Sequence, residues 1–101
     1  MERRFDQRLD DLKKELLKMG AAVEESIDQA VRALVERDEG LIQTVLEGGK
    51  RIDDWEIRIE EECLTLLATQ GPVASDLRLI ATMIKINEDL ERINDHAVNI
   101  V

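Results

Sequence analysis

The chain has 101 residues, of which 44% are hydrophobic, 37% charged and only 2% aromatic, and its net charge is −9. A chain of this length forms one domain at most, with a modest core. The acidic balance argues against binding to nucleic acids or to anionic membranes, because both ligands attract basic surfaces.

Fold class and compartment follow from composition. The combination of Leu, Ile, Val and Ala with Glu, Lys and Arg, and a single proline, is typical of helical bundles, so the sequence predicts an all-α fold. Cys63 is the only cysteine and forms no internal disulfide. No apolar run long enough to span a membrane and no signal-peptide core is apparent. We therefore expect a cytoplasmic protein without direct membrane insertion.

The first helix is predicted over residues 3–36, where apolar residues recur at spacings of three and four. The residues expected to be buried are Phe5, Leu9, Leu12, Leu16, Met19, Val23, Ile27, Ala30 and Leu34. The sequence RDEG then ends the pattern, and Asp38 is a candidate N-cap for the next helix.

The second helix is predicted over residues 39–69. Its apolar face consists of Ile42, Val45, Ile52, Trp55, Ile59, Cys63 and Leu66. Gly48 and Gly49 interrupt this face and together cost about 2 kcal/mol of helix stability, so we expect a local kink or two shorter helices. Gly71 is a candidate C-cap, and Pro72 ends the helix.

The third helix is predicted over residues 74–101, with Ser75 as a possible cap. Its main apolar stripe is Leu79, Met83, Ile86, Leu90, Ile93, Ala97 and Ile100, and a second stripe is Val73, Leu77, Ile80 and Ile84. Two stripes allow contact with two neighbouring helices. Long helices joined by short turns run antiparallel, so residues 1–101 are predicted to form one antiparallel three-helix bundle.

One acidic pair is a candidate metal site. Glu91 and Asp95 lie four residues apart, so their carboxylates share one helix face and are near enough to share a cation. Glu88 extends the row. Because like charges at this spacing repel, the pair favours a metal or a basic partner. The alternative is a solvated surface, since acidic pairs of this kind are common on helices.

The sequence contains no recognisable catalytic apparatus. A carboxylate-bridged metal oxidase in a helical bundle would need at least four acids and two histidines, and this chain has one histidine. That residue, His96, follows Arg92 and Ile93 at the two spacings where such a site requires glutamate, so we interpret it as a surface or hydrogen-bonded histidine. Cys63 and Trp55 are interpreted as core residues. We therefore expect a protein that is not an enzyme.

Longer stretches of the chain resemble the PhoU family, bacterial regulators of phosphate uptake. They are MERRFDQRLDDLKKELLKMG, RIDDWEIRIEEECLTLLATQGPVASDLRLIATMIKI and DLERINDHAVNI. The resemblance implies a fold of two similar three-helix bundles, of which this chain looks like the first alone, and we expect the second to be absent.

The resemblance also implies a function. PhoU-like proteins are often dimeric negative regulators of phosphate uptake and phosphate-starvation signalling, coupling the ATPase of the phosphate ABC transporter to a sensor histidine kinase. We therefore expect a homo-dimer or higher oligomer with these two partners. The alternative is an isolated helical self-association module, or a metal-binding bundle without a regulatory role.

Metal binding is the last implication of the resemblance. PhoU-like bundles hold metal clusters through acidic pairs in which the second acid, an aspartate, follows four residues after the first. Glu91 and Asp95 match this pattern, and Asp53 fills the later position on the second helix, whereas Gly49 stands where its partner acid is expected. Oxygen ligands of this kind suit iron, manganese, zinc or magnesium.

Overall fold

The structure, a computed structural model, describes residues 2–70 and 73–101, with side chains from 4–68 and 73–101. It contains three helices, α1 (Glu2–Glu36), α2 (Glu39–Gln70) and α3 (Ala74–Ile100). Their bounds agree with the predicted ranges to within one residue, and the all-α three-helix fold is confirmed. None of the described helices combines the length and the apolar character needed to cross a bilayer.

The helices form an elongated bundle of 52 × 18 × 15 Å in which each helix contacts both others. Contacts between α1 and α2 fix their antiparallel direction. Arg8 donates to Glu62 at 2.7 Å, and the Trp55 indole nitrogen donates to Glu15 at 2.8 Å. Residue numbers therefore increase along α1 in the direction in which they decrease along α2. The α2–α3 contacts between Glu56 and Asn87 and between Gly49 and Val98 are antiparallel in the same way, so α1 is parallel to α3.

The N-cap of α2 is formed as predicted, whereas that of α3 is not. Asp38 accepts hydrogen bonds from the backbone nitrogens of Gly40 at 2.9 Å and Leu41 at 3.2 Å. Ser75 lies inside α3, whose N-cap is Val73 without a side-chain cap, so the Ser75 prediction is wrong. The predicted stop at Gly71 and Pro72 falls outside the described residues.

Buried residues on α1 follow a strict alternation of four- and three-residue spacings. The buried positions are Phe5, Leu9, Leu12, Leu16, Met19, Val23, Ser26, Ala30 and Ala33. The predicted burial of Ile27 and Leu34 is therefore wrong, because these side chains are 36% and 62% exposed. Helical geometry places Ser26 and Ala33 in the interface even though the residues after them are more hydrophobic.

The same geometry corrects the prediction for α3. Its buried residues are Ile80, Met83, Asn87, Asn94 and Ala97. The predicted stripe shares Met83 and Ala97 with this face, but Ile86, Ile93 and Ile100 are between 41% and 43% exposed. In the second stripe, Ile80 is buried, whereas Val73 and Leu77 are exposed.

The side-chain amide of Asn87 is buried in the core, where one hydrogen bond stabilises it. The side-chain nitrogen of Asn87 donates to the backbone carbonyl of Glu56 on α2 at 2.9 Å. This bond offsets part of the cost of burying a polar group. The three exposed isoleucines remain on the flank as a stripe with seven-residue spacing.

The two adjacent glycines do not divide α2, which runs unbroken through them, so the alternative of two shorter helices is wrong. Gly49 is buried against α3, where an added Cβ would lie only 2.9 Å from Cγ2 of Val98. At Gly48 the nearest atom to an added Cβ is an Arg51 nitrogen at 3.8 Å. Gly49 therefore permits the close approach of α2 and α3, whereas Gly48 does not serve that contact.

The two glycines provide a matched test of this packing. We expect Gly48→Ala to stabilise the protein by about 0.5–1 kcal/mol, because alanine favours the helix. Gly49→Ala should destabilise it, since overpacking costs about 1–3 kcal/mol and the β-branched Val98 adjusts poorly. Thermal unfolding followed by circular dichroism measures both.

A second variant checks the assigned cause. Adding Val98→Ala to Gly49→Ala removes the methyl group that the new Cβ meets, so the double variant should lose less stability than the sum of its two single changes. Equal melting temperatures for Gly48→Ala and Gly49→Ala would contradict the packing role of Gly49.

Candidate metal site between α2 and α3

Three carboxylates that are distant in sequence meet on the side of the bundle formed by α2 and α3. Glu91 and Asp95 are one turn apart on α3, and Asp53 approaches from α2. Each offers an oxygen, and the three oxygens lie within 4.8 Å of one another. Asp53 and Asp95 are exposed, whereas Glu91 is half-buried. We refer to these three residues as the acidic cluster.

Burial and the nearby acids raise the pKa values of Glu91 and Asp53. The pKa of Glu91 rises to about 7, first because burial disfavours its charge, then through a hydrogen bond with Asp95 and the charges of Asp95, Asp53 and Glu56. The pKa of Asp53 is also raised, by burial and by the charge of Asp95. The ionised cluster therefore carries an electrostatic cost that a cation would relieve.

A longer acidic surface continues from the cluster. The pKa of Glu56 is raised by burial and by the charges of Glu60, Asp53 and Glu88. Glu56 is a neighbour that the sequence-based site did not include. Its spacing of three residues from Asp53 was the available signal, because such residues share a helix face.

The cleft beside the cluster has a volume of about 420 Å³, and Gly49, Asp53, Asn94, Asp95 and Val98 are among the residues that line it. Gly49 lies in the helix interface, so an acid there would meet Val98. Position 49 therefore has a packing role, in addition to lacking the carboxylate that the resemblance implies. Asn94 is fully buried, and neither polar atom of its side chain has a hydrogen-bond partner within the described structure.

The other acidic pairs and the histidine do not join a comparable site. In the part of the chain whose side chains are described, the acidic cluster is the only set of three or more His, Cys, Asp or Glu residues close enough to share an ion. His96 is exposed and lies outside it. Cys63 is buried, and burial raises the pKa of its thiol to about 11.

The cluster has the chemistry to hold a metal ion. Its ligands are three carboxylates, which are hard donors suited to cations that prefer oxygen. Three protein ligands do not complete a six-coordinate shell, and the exposure of Asp53 and Asp95 leaves water access to the remaining positions. Such a site favours weak, exchangeable binding.

The raised pKa of Glu91 predicts how stability depends on pH. Its ordinary value is 4.5 and its value in the folded protein is about 7, so between these values the folded state retains a proton that the unfolded state has lost. The melting temperature of the metal-free protein should therefore fall as pH rises from about 4.5 to about 7 and change little above that range. Glu91→Gln should reduce this dependence and raise the melting temperature at pH 8.

Glu24→Gln is the matched control, because Glu24 is an exposed glutamate on α1 away from the cluster. It should leave the pH profile unchanged. If Glu91→Gln and Glu24→Gln have the same profile as the parent, Glu91 does not titrate in the proposed range.

Comparison with known proteins identifies a solved structure with the same fold and a protein family whose profile matches this chain. The sequence profile of the PhoU domain matches residues 16–101. The crystal structure of PhoU from Pseudomonas aeruginosa is similar with a TM-score of 0.91 and 45% identity, over 95% of this chain and 46% of that one.

Two curated relatives are similar over most of the chain. The phosphate-specific transport system accessory protein PhoU homolog of Pseudomonas putida is 46% identical over 96 residues, which are 95% of this chain and 38% of that protein. The PhoU protein of Escherichia coli K12 is 36% identical over 93 residues, 92% of this chain and 39% of its own length. The chain thus spans less than half the length of these relatives. With a profile match over most of its residues and this level of identity, the chain belongs to the PhoU family.

Proposed function

We propose that this chain is a non-enzymatic negative regulator of phosphate uptake and phosphate-starvation signalling in the cytoplasm. The observation that carries the proposal is the family match over residues 16–101, together with relatives that are named accessory proteins of the phosphate-specific transport system. In this proposal residues 1–101 act as one PhoU-like domain. It works by contact, with the ATPase of the phosphate ABC transporter and with a sensor histidine kinase as partners.

The chemistry of the side chains supports regulation by contact. A thiol with a pKa of about 11 is a poor nucleophile at neutral pH, and the exposed His96 lies outside the acidic cluster. The surface instead offers features suited to partners, namely an acidic face on α2 and α3 and exposed isoleucines on α3. These features also fit the second candidate function, a self-association module or metal-binding bundle without a regulatory role.

The regulatory proposal predicts direct binding. The 101-residue protein should retain the purified transporter ATPase or the cytoplasmic part of the sensor kinase in a pull-down, more weakly than a full-length relative does, because it covers less than half of that length. The full-length relative is the positive control. Retention by the relative and none by this chain would favour the second candidate function.

We further propose that Asp53, Glu91 and Asp95 bind iron, manganese, zinc or magnesium. Millimolar manganese or zinc should raise the melting temperature of the metal-free protein, because a ligand that binds only the folded state stabilises it. Glu91→Gln combined with Asp95→Asn should abolish the increase.

The control for metal binding is Asp6→Asn combined with Asp10→Asn, which removes an acidic pair of the same spacing from α1. That variant should retain the full increase. If the metal stabilises all three proteins equally, the acidic cluster is a solvated surface and not a metal site.

Self-association is the third part of the proposal. Ile86, Ile93 and Ile100 form an exposed stripe on α3, and Ile100 lines a cleft at the end of the bundle together with Leu34 of α1. Apolar surface of this kind favours burial against a partner. We propose a homo-dimer or higher oligomer in which a second copy covers the stripe.

Light scattering coupled to size exclusion tests this assembly. The parent should have at least twice the monomer mass of 11.5 kDa at tens of micromolar, and Ile93→Glu should shift it toward the monomer, because a buried charge opposes association. Ile57→Glu is the control, since Ile57 is an exposed isoleucine on α2. A monomeric parent would contradict the assembly.

A further inference from the structure

A second cleft lies between α1 and α2, separate from the acidic cluster. Its volume is about 760 Å³, which is within the range of small-molecule sites. Small side chains leave this space open, because Ala22 and Ser26 face Gly48 across the helix pair. Apart from its chain neighbours and the nearby backbone of α2, only an Arg51 nitrogen lies within 4 Å of the position of a Gly48 Cβ in the described structure.

Ser26 places a hydrogen-bonding group in this cleft without a partner. The residue is 95% buried because the spacing of α1 directs it into the interface. Its hydroxyl has no hydrogen-bond partner within the described structure. An unpaired buried hydroxyl destabilises a protein, so a ligand that accepts its proton would recover the lost interaction.

Arg51 supplies positive charge above the same space. One of its terminal nitrogens lies 3.8 Å from the position of a Gly48 Cβ, so the guanidinium folds over the glycine. Arg58 lines the cleft seven residues further along α2, beyond Trp55. Neither arginine takes part in an ion pair with the described side chains.

Three acids, Glu15, Glu25 and Asp54, line the cleft together with Lys18, Arg51 and Arg58. Glu15 accepts the indole hydrogen bond of Trp55, and Glu25 accepts a hydrogen bond from Gln29 at 3.2 Å. Asp54 remains as a nearby negative charge. Among the side-chain donors of the cleft wall, the two guanidiniums and the Ser26 hydroxyl have no partner within the described structure.

We propose that the α1–α2 cleft binds an oxyanion, either a phosphate or a carboxylate group. The Ser26 hydroxyl and the Arg51 guanidinium donate hydrogen bonds to its oxygens, and Arg58 adds positive charge. Gly48 provides the space that the group occupies. Glu15, Glu25, Asp54 and the net charge of −9 oppose the anion, so binding is weak and sensitive to salt. The site does not depend on the proposed regulatory role.

Trp55 is the only tryptophan and lines the cleft, so its fluorescence reports on occupancy. The probes are sodium phosphate, sodium sulfate and sodium succinate, each compared with sodium chloride at equal ionic strength. The expected result is a saturable change with at least one probe. Saturation by phosphate and sulfate alone assigns a tetrahedral oxyanion, and saturation by succinate alone assigns a carboxylate.

Three variants locate the site. Arg51→Gln and Gly48→Leu should each weaken binding by about tenfold or more, because one removes a charged donor and the other fills the space. Ser26→Ala should also weaken binding, while its melting temperature equals or exceeds that of the parent, because the deleted hydroxyl has no partner. Arg92→Gln, which removes an exposed arginine from α3, is the control and should bind as the parent does.

The proposal is overturned if none of the three anions gives a saturable change beyond that of sodium chloride. It is also overturned if Arg51→Gln and Ser26→Ala bind as tightly as Arg92→Gln, because binding would then lie elsewhere. Gly48→Leu distinguishes a loss of anion binding from a loss of folding, because leucine fills the cleft but favours the helix more than glycine does. A variant that melts no lower than the parent but loses binding supports the site.

Discussion

The alternation of three- and four-residue spacings along each helix is the constraint on which the rest of this bundle depends. Once three long helices pack side by side, the turn of the helix decides which positions face the axis, whatever residues occupy them. Ser26, Gly49 and Asn87 are buried for this reason. Each has a distinct consequence: an unpaired hydroxyl, a close helix contact and a hydrogen bond to Glu56.

The same constraint gives the flanks of the bundle different chemistry. Between α2 and α3 the acidic cluster collects negative charge, and between α1 and α2 small side chains leave an open cleft. On α3 the isoleucines displaced from the core form an apolar stripe. The three proposed ligands, a cation, an anion and a protein partner, are therefore assigned to separate surfaces of the domain.

The charges of the acidic cluster connect stability to pH and, in our proposal, to metal binding. Its ionised form is costly because the charges are close and Glu91 is partly removed from water, which is why the pKa of Glu91 is raised. Protonation and a bound cation relieve the same repulsion, so they compete at this site. Rising pH therefore destabilises the metal-free protein and deprotonates the carboxylates that would bind the proposed metal.

The sequence by itself determined the three helices, their bounds and the pairing of Glu91 with Asp95, because these depend on local periodicity. Asp38 was also identifiable as a cap, since its hydrogen bonds span only two and three residues. The family resemblance added Asp53. This residue lies on α2, and periodicity along a single helix does not show that it approaches α3.

Only the tertiary structure decided which of two adjacent stripes on α3 faces the core. Met83 and Ala97 belong to both, and hydrophobicity favoured Ile86 and Ile93 as their companions. The structure buries Asn87 and Asn94 instead, because the rotation of α3 is set by its simultaneous contacts with α1 and α2. The distance between Asp53 and Glu91 and the role of Gly49 depend on that rotation, and no helix specifies it alone.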